Sequence, residues 1–165
     1  MIIRNGDPGD VQAVLGMFDS AVAWLTAQGR TGQWGSDPFS ADPARVERIS
    51  RWAASDGMRI AEIDGEPAGC AVLGPPMPYV DPAPEPELYV QALVVDRRFH
   101  GRGVGAALLA RARAEAVELG VSLLRVDCYA GDDGRLVRYY ESRGFTRAET
   151  FSVGEWPGQI LQMRL

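Results

Sequence analysis

Lysine is absent from the 165 residues: all 17 basic side chains are arginine. Without lysine side chains, the Schiff-base class of enzymes and the Walker A class of nucleotide binders are excluded. Histidine occurs once, at His100, and no cluster of cysteines or carboxylates stands in for the missing imidazoles, so no metal site is expected. The two cysteines, Cys70 and Cys128, lie in apolar strand-like runs without CxxC spacing and read as reduced core residues. No apolar run is long enough to span a bilayer, and the opening MIIRNGDPGD lacks the basic and apolar regions of a signal peptide. The expectation is a cytoplasmic protein with no membrane partner. Positive charge is in deficit too: a net charge of −5 argues against a nucleic-acid partner and suits a cationic substrate.

Nearly half of the chain is apolar, which at this length supports one domain, residues 1–165, with a proper core. Ile2 to Arg4 reads as a short strand. Asp7 then caps a helix with Pro8 at its first position and an apolar stripe through Val11, Val14, Leu15, Phe18, Val22 and Leu25. Asp42-Pro43 repeats that start signal for a second helix ending near Ser55. MRIAEID and EPAGCAVLG flank Asp64-Gly65 as a hairpin, and GPPMPYVDPAPEPE is too rich in proline to be anything but a loop. ELYVQALVV is a buried strand running straight into a glycine-rich loop and a long helix from about Gly103 to Gly120. SLLRVDCYA gives another strand, RLVRYYES a short helix opened by Asp133-Gly134, and FTRAETFSV and QILQMRL two final strands.

The segment His100-Gly101-Arg102-Gly103-Val104-Gly105 carries the most chemical information. Alternate glycines between a strand and a helix let the backbone turn without Cβ clashes, and they aim several N–H groups at one spot near the positive end of the helix dipole. Such a spot suits a phosphate or pyrophosphate. Gly101, Gly103 and Ala106 also satisfy the G-x-G-x-x-G/A dinucleotide fingerprint, with Asp127 near the place of a ribose-binding acid. A dinucleotide-binding domain would place that loop in its first strand-helix-strand unit, whereas here it falls past the middle of the chain.

The loop, together with YYESRGF near the C-terminal end, resembles the GNAT superfamily of acetyl-CoA-dependent N-acetyltransferases, most strongly over residues 87–145. The loop matches the family's Q/R-x-x-G-x-G/A signature with His100 in place of Gln or Arg, and YYESRGF matches its Tyr-Glu helix followed by Gly-Phe. The resemblance implies a mixed α/β fold, a central twisted sheet of six to seven strands flanked by about four helices. It implies acetyl-CoA as co-substrate, with the backbone of Leu93, Val94 and Val95 along its acetyl and pantetheine arm. The amides of Gly101, Arg102, Gly103, Val104, Gly105 and Ala106, with His100, would surround its pyrophosphate. Where the family often has Asn, this sequence has Asp133, a helix cap first and a cofactor neighbour second.

The same resemblance makes Tyr140 the general acid for the departing thiolate. Asp127 is a candidate base, although its spacing to Tyr140 is one residue longer than in comparable patterns. Glu62, Glu87 and Tyr89 could instead reach an amine through water, and Trp24 and Trp34 lie on segments that in this family cover the acceptor pocket. The expected reaction is acetyl transfer to a primary amine, on a small molecule or a peptide terminus, by direct attack in a ternary complex; a homodimer is compatible with it. A non-catalytic acyl-CoA-binding module would keep the loop without requiring Tyr140, and a dinucleotide binder would need Asp127 against a ribose.

Overall fold

Each of the first two helices begins where the sequence supplies a cap. In the computed structural model, which describes all 165 residues, the Asp7 side chain accepts from the Gly9 N–H at 2.7 Å. Asp10 accepts from the Asp7 N–H at 2.9 Å, which completes a capping box. That turn, Pro8–Asp10, leads into α1 (Val11–Ala27), whose buried stripe comprises Val14, Leu15, Met17, Phe18, Val22 and Leu25. Asp42 caps α2 (Pro43–Ala54) by accepting from the Ala44 N–H at 3.0 Å. The remaining helices are α3 (Val104–Leu119) and α4 (Arg135–Ser142).

Seven strands, β1 (Ile2–Asn5), β2 (Met58–Ile63), β3 (Glu66–Gly74), β4 (Glu87–Val95), β5 (Leu123–Tyr129), β6 (Thr146–Val153) and β7 (Trp156–Arg164), form one sheet in the order β1-β2-β3-β4-β5-β7-β6. The sheet is mixed, because β4 and β5 are parallel whereas β1–β2, β2–β3, β5–β7 and β6–β7 are antiparallel. The β2–β3 hairpin turns through Asp64 and Gly65 at φ of 52° and 79°, the positive angles that a tight hairpin demands.

The chain forms two compact units, Met1–Val72 with Ala92–Leu108, and Leu73–Gln91 with Leu109–Leu165. In the first, α1 and α2 pack Val14, Met17, Phe18 and Ile49 against Met58, Ile60, Cys70 and Val72 of the sheet. A second cluster unites Ala61, Ala68, Phe99, Val104 and Leu108. Gly69 sets that packing: a Cβ there would lie 2.6 Å from Cγ1 of Val104 and 3.1 Å from the Val94 carbonyl, so the first turn of α3 sits directly on a bare strand.

In the second unit, β4 and β5 run in parallel from the Glu87–Leu123 pair to the Val90–Val126 pair, and this pairing ends there although both strands continue. A buried ion pair ties them. Arg125 donates to Glu87 at 2.6 and 2.9 Å, with both side chains only 6% exposed. The same pair holds the proline-rich loop, since Arg125 also donates to the Asp81 carbonyl at 2.9 Å and Glu87 accepts from the Ala83 N–H at 2.6 Å.

Two local expectations need correction. β7 begins at Trp156, ahead of the expected QILQMRL, because Gly154 at φ 59° starts a two-residue turn that brings Pro157 opposite Ser152. The proline has no N–H to give the ladder, and its carbonyl accepts from the Ala130 N–H at 3.0 Å. Asp133 is not a side-chain cap: it adopts φ 58°, ψ 23°, and the N-cap of α4 is Gly134, with no side-chain capping bond.

Candidate active site

The glycine loop is built on the first unit. Asp96 anchors its entry, donating from its N–H to the Ala68 carbonyl at 2.8 Å and accepting from the Arg98 N–H at 2.9 Å. Phe99 is buried beneath. Gly101 and Gly103 both stand at φ 77°, and a Cβ built on either would meet nothing within 4 Å. The glycines are therefore required by backbone conformation rather than by neighbouring protein, and the space in front of them is open. Gly103 starts α3 by accepting from the Ala107 N–H at 3.0 Å, and it has no side chain to cap the first-turn amides of Val104, Gly105 and Ala106. Uncapped amides at a helix start are of the kind that suits an anion.

His100 is held from behind. A guanidinium N–H of Arg97 lies 3.0 Å from His100 Nδ1, and because arginine can only donate, Nδ1 accepts and the ring proton sits on Nε2. Arg97 lies 3.7 Å above the Trp24 ring, and its backbone N–H donates to the Ser20 hydroxyl at 3.2 Å. Trp24, expected on the acceptor side, thus stacks beneath the loop through Arg97 and, at 6.5 Å, His100. Arg98 pairs with Asp96 at 3.3 Å, and Arg102 lies 5.8 Å over Phe99. Within β4, Leu93 and Val95 are only partly buried although they lie in an interior strand, whereas Val94 is buried.

The second unit places three sequence-distant residues on one carboxylate. Tyr89, fully buried, donates to Asp127 Oδ2 at 2.5 Å. Tyr79, from the proline-rich loop, donates to both Asp127 oxygens at 3.2 Å. Burial raises the Asp127 carboxyl above its ordinary value of 3.8, while the two phenols and Arg125 pull the other way. Burial and the Asp127 charge together hold the Tyr89 phenol protonated far above its usual range.

Tyr140 is carried by α4, which packs against β5. Along β5 Cys128 alternates with Asp127, and burial together with the charges of Cys128, Tyr139 and Asp127 acts on the Tyr140 phenol. The Tyr140 ring is buried, edge-on to Tyr139 at 5.3 Å and to Phe145 at 5.8 Å. Burial raises its pKa well above 10, so it carries its proton at neutral pH. Tyr139 is only half-buried, as expected of adjacent helical residues that cannot share a face. Burial also pushes both Cys70 and Cys128 up to about 12, so neither thiol is a nucleophile at neutral pH.

Two candidate carboxylates are otherwise engaged. Glu62 accepts from Arg4 at 2.8 Å, and Glu87 is consumed by Arg125. Trp34 packs edge-on against Phe18 and Phe39 at 5.3 and 5.5 Å while lining an open recess of about 420 Å³ with Asp37, Asp42 and Arg45. Asp133 is exposed, and its carbonyl accepts from Arg138. Sequence reasoning missed Tyr79, which lay in a stretch legible only as loop; Arg97, one of three arginines beside the loop that could make up for His100, is the one that bonds to it.

The sequence matches the Acetyltransferase (GNAT) family over residues 21–145, and the chain belongs to that family. Solved structures of similar fold cover nearly all of it. An acetyltransferase of the GNAT family from Listeria monocytogenes is 23% identical, with a TM-score of 0.76 over 99% of this chain and 94% of the other. The ribosomal-protein-alanine N-acetyltransferase from Brucella melitensis is 24% identical, with a TM-score of 0.67 over 100% of both chains. The protein yncA from Salmonella typhimurium, solved with its cofactor acetyl-CoA, is 20% identical, with a TM-score of 0.68 over 100% of this chain and 94% of the other. No match was found among curated proteins. The mixed sheet also differs from the parallel doubly wound sheet that the dinucleotide reading needs.

Proposed function

We propose that this acetyltransferase acetylates a primary amine, using acetyl-CoA, by direct attack of the amine in a ternary complex. The observation that carries the reading is an ionisable acceptor, Asp127, one residue past the last β4–β5 pair at Val90–Val126, with a protonated phenol, Tyr140, on the helix α4 that packs against the same strand.

When bound, acetyl-CoA supplies an acetyl group on a thioester, a carbonyl whose leaving group is a stable thiolate. The amides of Gly101 to Ala106 would hold its pyrophosphate, consistent with the positive φ at Gly101 and Gly103 and the open space before them. His100, with its proton on Nε2, keeps a donor where the family has Gln or Arg. The backbone of Leu93, Val94 and Val95 would lie along the pantetheine arm, with Leu93 and Val95 only partly buried.

Asp127 binds the ammonium form and takes up its proton, directly or through water, which leaves the amine lone pair free to attack. Tyr89 keeps the carboxylate oriented during that step. Tyr140 donates its proton as the thiolate departs and is re-protonated from solvent. The protonated thiols of Cys70 and Cys128 favour direct transfer over an acetylated cysteine. Thiol release on mixing protein, acetyl-CoA and a panel of primary amines tests the reading: release with at least one amine is expected, and none across aliphatic, aromatic and peptide amines would overturn it.

A further inference from the structure

We propose that Asp127 and the rings of Tyr79, Phe151 and Trp156 form an acceptor subsite for a primary ammonium group carried on an aromatic body. The assignment rests on the acetyltransferase reading above and names its substrate class.

Asp127 differs from the other candidate carboxylates in what it touches. Glu62 and Glu87 are neutralised by arginines, whereas the direct partners of Asp127 are two neutral phenols. Arg125, the arginine whose charge acts on Asp127, gives its Nε and Nη2 to Glu87 and the Asp81 carbonyl instead. An arriving ammonium is therefore the cation that this carboxylate lacks. The two phenols are unequal. Tyr89 is 0% exposed and bonds at 2.5 Å, as a fixed part of the core, whereas Tyr79 is 43% exposed and shares its hydroxyl between both oxygens at 3.2 Å. The outer place on the carboxylate is the exchangeable one.

Tyr79 also shows what fits there. Its ring stacks on Phe151 at 5.3 Å and 24° while its hydroxyl rests on Asp127, so the aromatic wall and the carboxylate lie within one ring's length of each other. The sheet register puts the wall on the same face: Asp127 pairs with Ile160, Tyr129 with Gly158, and Phe151 with Gly158. The Phe151 ring lies over Gly158, where a Cβ would collide with it. From Phe151 the row continues to Trp156 at 6.1 Å and on to Tyr129 at 5.5 Å. All four rings keep solvent access. A flat apolar body gains stacking along that row, and its ammonium gains a charge-assisted bond at the end of it.

Calorimetric titration of the protein alone with phenethylamine, propylamine and putrescine tests the subsite without acetyl-CoA. Phenethylamine is expected to bind at least about tenfold more tightly than either aliphatic amine, a factor equal to about 1.4 kcal/mol. Asp127→Asn should weaken it by about tenfold or more, Phe151→Leu should abolish the preference over propylamine, and Tyr79→Phe, which keeps the ring but removes the competing hydroxyl, should tighten binding. Thiol release is measured in parallel. Equal binding of all three amines, or phenethylamine binding unaffected by Asp127→Asn, would overturn the subsite even if thiol is released. Asp127-dependent phenethylamine binding without thiol release from any amine would leave the subsite standing and remove the acetyltransferase reading.

Discussion

The Tyr89 hydroxyl donates to Asp127 Oδ2 at 2.5 Å from a fully buried position, and no other phenol in the second unit holds a carboxylate so closely. Burial raises the Asp127 carboxyl above 3.8, and the groups acting on it are Tyr89, Tyr79 and Arg125. Because the ionised form binds the ammonium, kcat/KM for a cationic amine should climb with pH through that raised value. Asp127→Asn should lower kcat/KM by roughly 30- to 100-fold, the scale of one charged hydrogen bond, and remove the acidic limb of the profile. Initial rates between pH 4 and 8 check both.

Tyr140→Phe should lower kcat by roughly 10² to 10⁴, the usual contribution of positioned proton transfer, while leaving acetyl-CoA affinity within about twofold. Tyr139→Phe, on the half-buried neighbour, should change kcat little. Parallel turnover and cofactor titration separate the two tyrosines.

Gly103→Val places a β-branched residue at φ 77°, which costs about 1–2 kcal/mol of stability, and points new bulk into open space before the α3 amides. The expected variant folds, melts a few degrees lower, and loses the thermal shift that CoA gives the wild type. A retained shift would show that the loop only makes a turn.

Arg125→Met leaves Glu87 buried without its cation, and such a loss typically costs about 3–5 kcal/mol. Denaturant unfolding should show it, and the double variant Arg125→Met with Glu87→Leu should recover part of the loss. The single variant should also free the proline-rich loop at Asp81 and Ala83, read as faster amide exchange there.

What was legible in the sequence was local. Asp7-Pro8, Asp42-Pro43 and Asp64-Gly65 act over two or three residues, and each fixes its turn as read. The glycine loop was legible for the same reason, since positive φ is a property of Gly101 and Gly103 themselves. The acceptor chemistry was not, because its partners are far apart in the chain: Tyr79 and Asp127 are separated by 48 positions, and Arg125 and Glu87 by 38. Charge counting made Glu62, Glu87 and Asp127 look alike, and only the arginine partners distinguish them. Trp24 illustrates the same limit. Its place on α1 was readable, but its contact with Arg97 was not.

The central claim is direct acetyl transfer to an amine. Its most direct test mixes stoichiometric acetyl-CoA with the protein, first alone and then with phenethylamine, and follows thiol release together with the intact mass of the protein. The account predicts no thiol and an unchanged protein mass without amine, then one thiol per N-acetylated amine once it is added. A protein that gains an acetyl group on Cys70 or Cys128 before the amine arrives, or thiol release that does not depend on the amine, would contradict it.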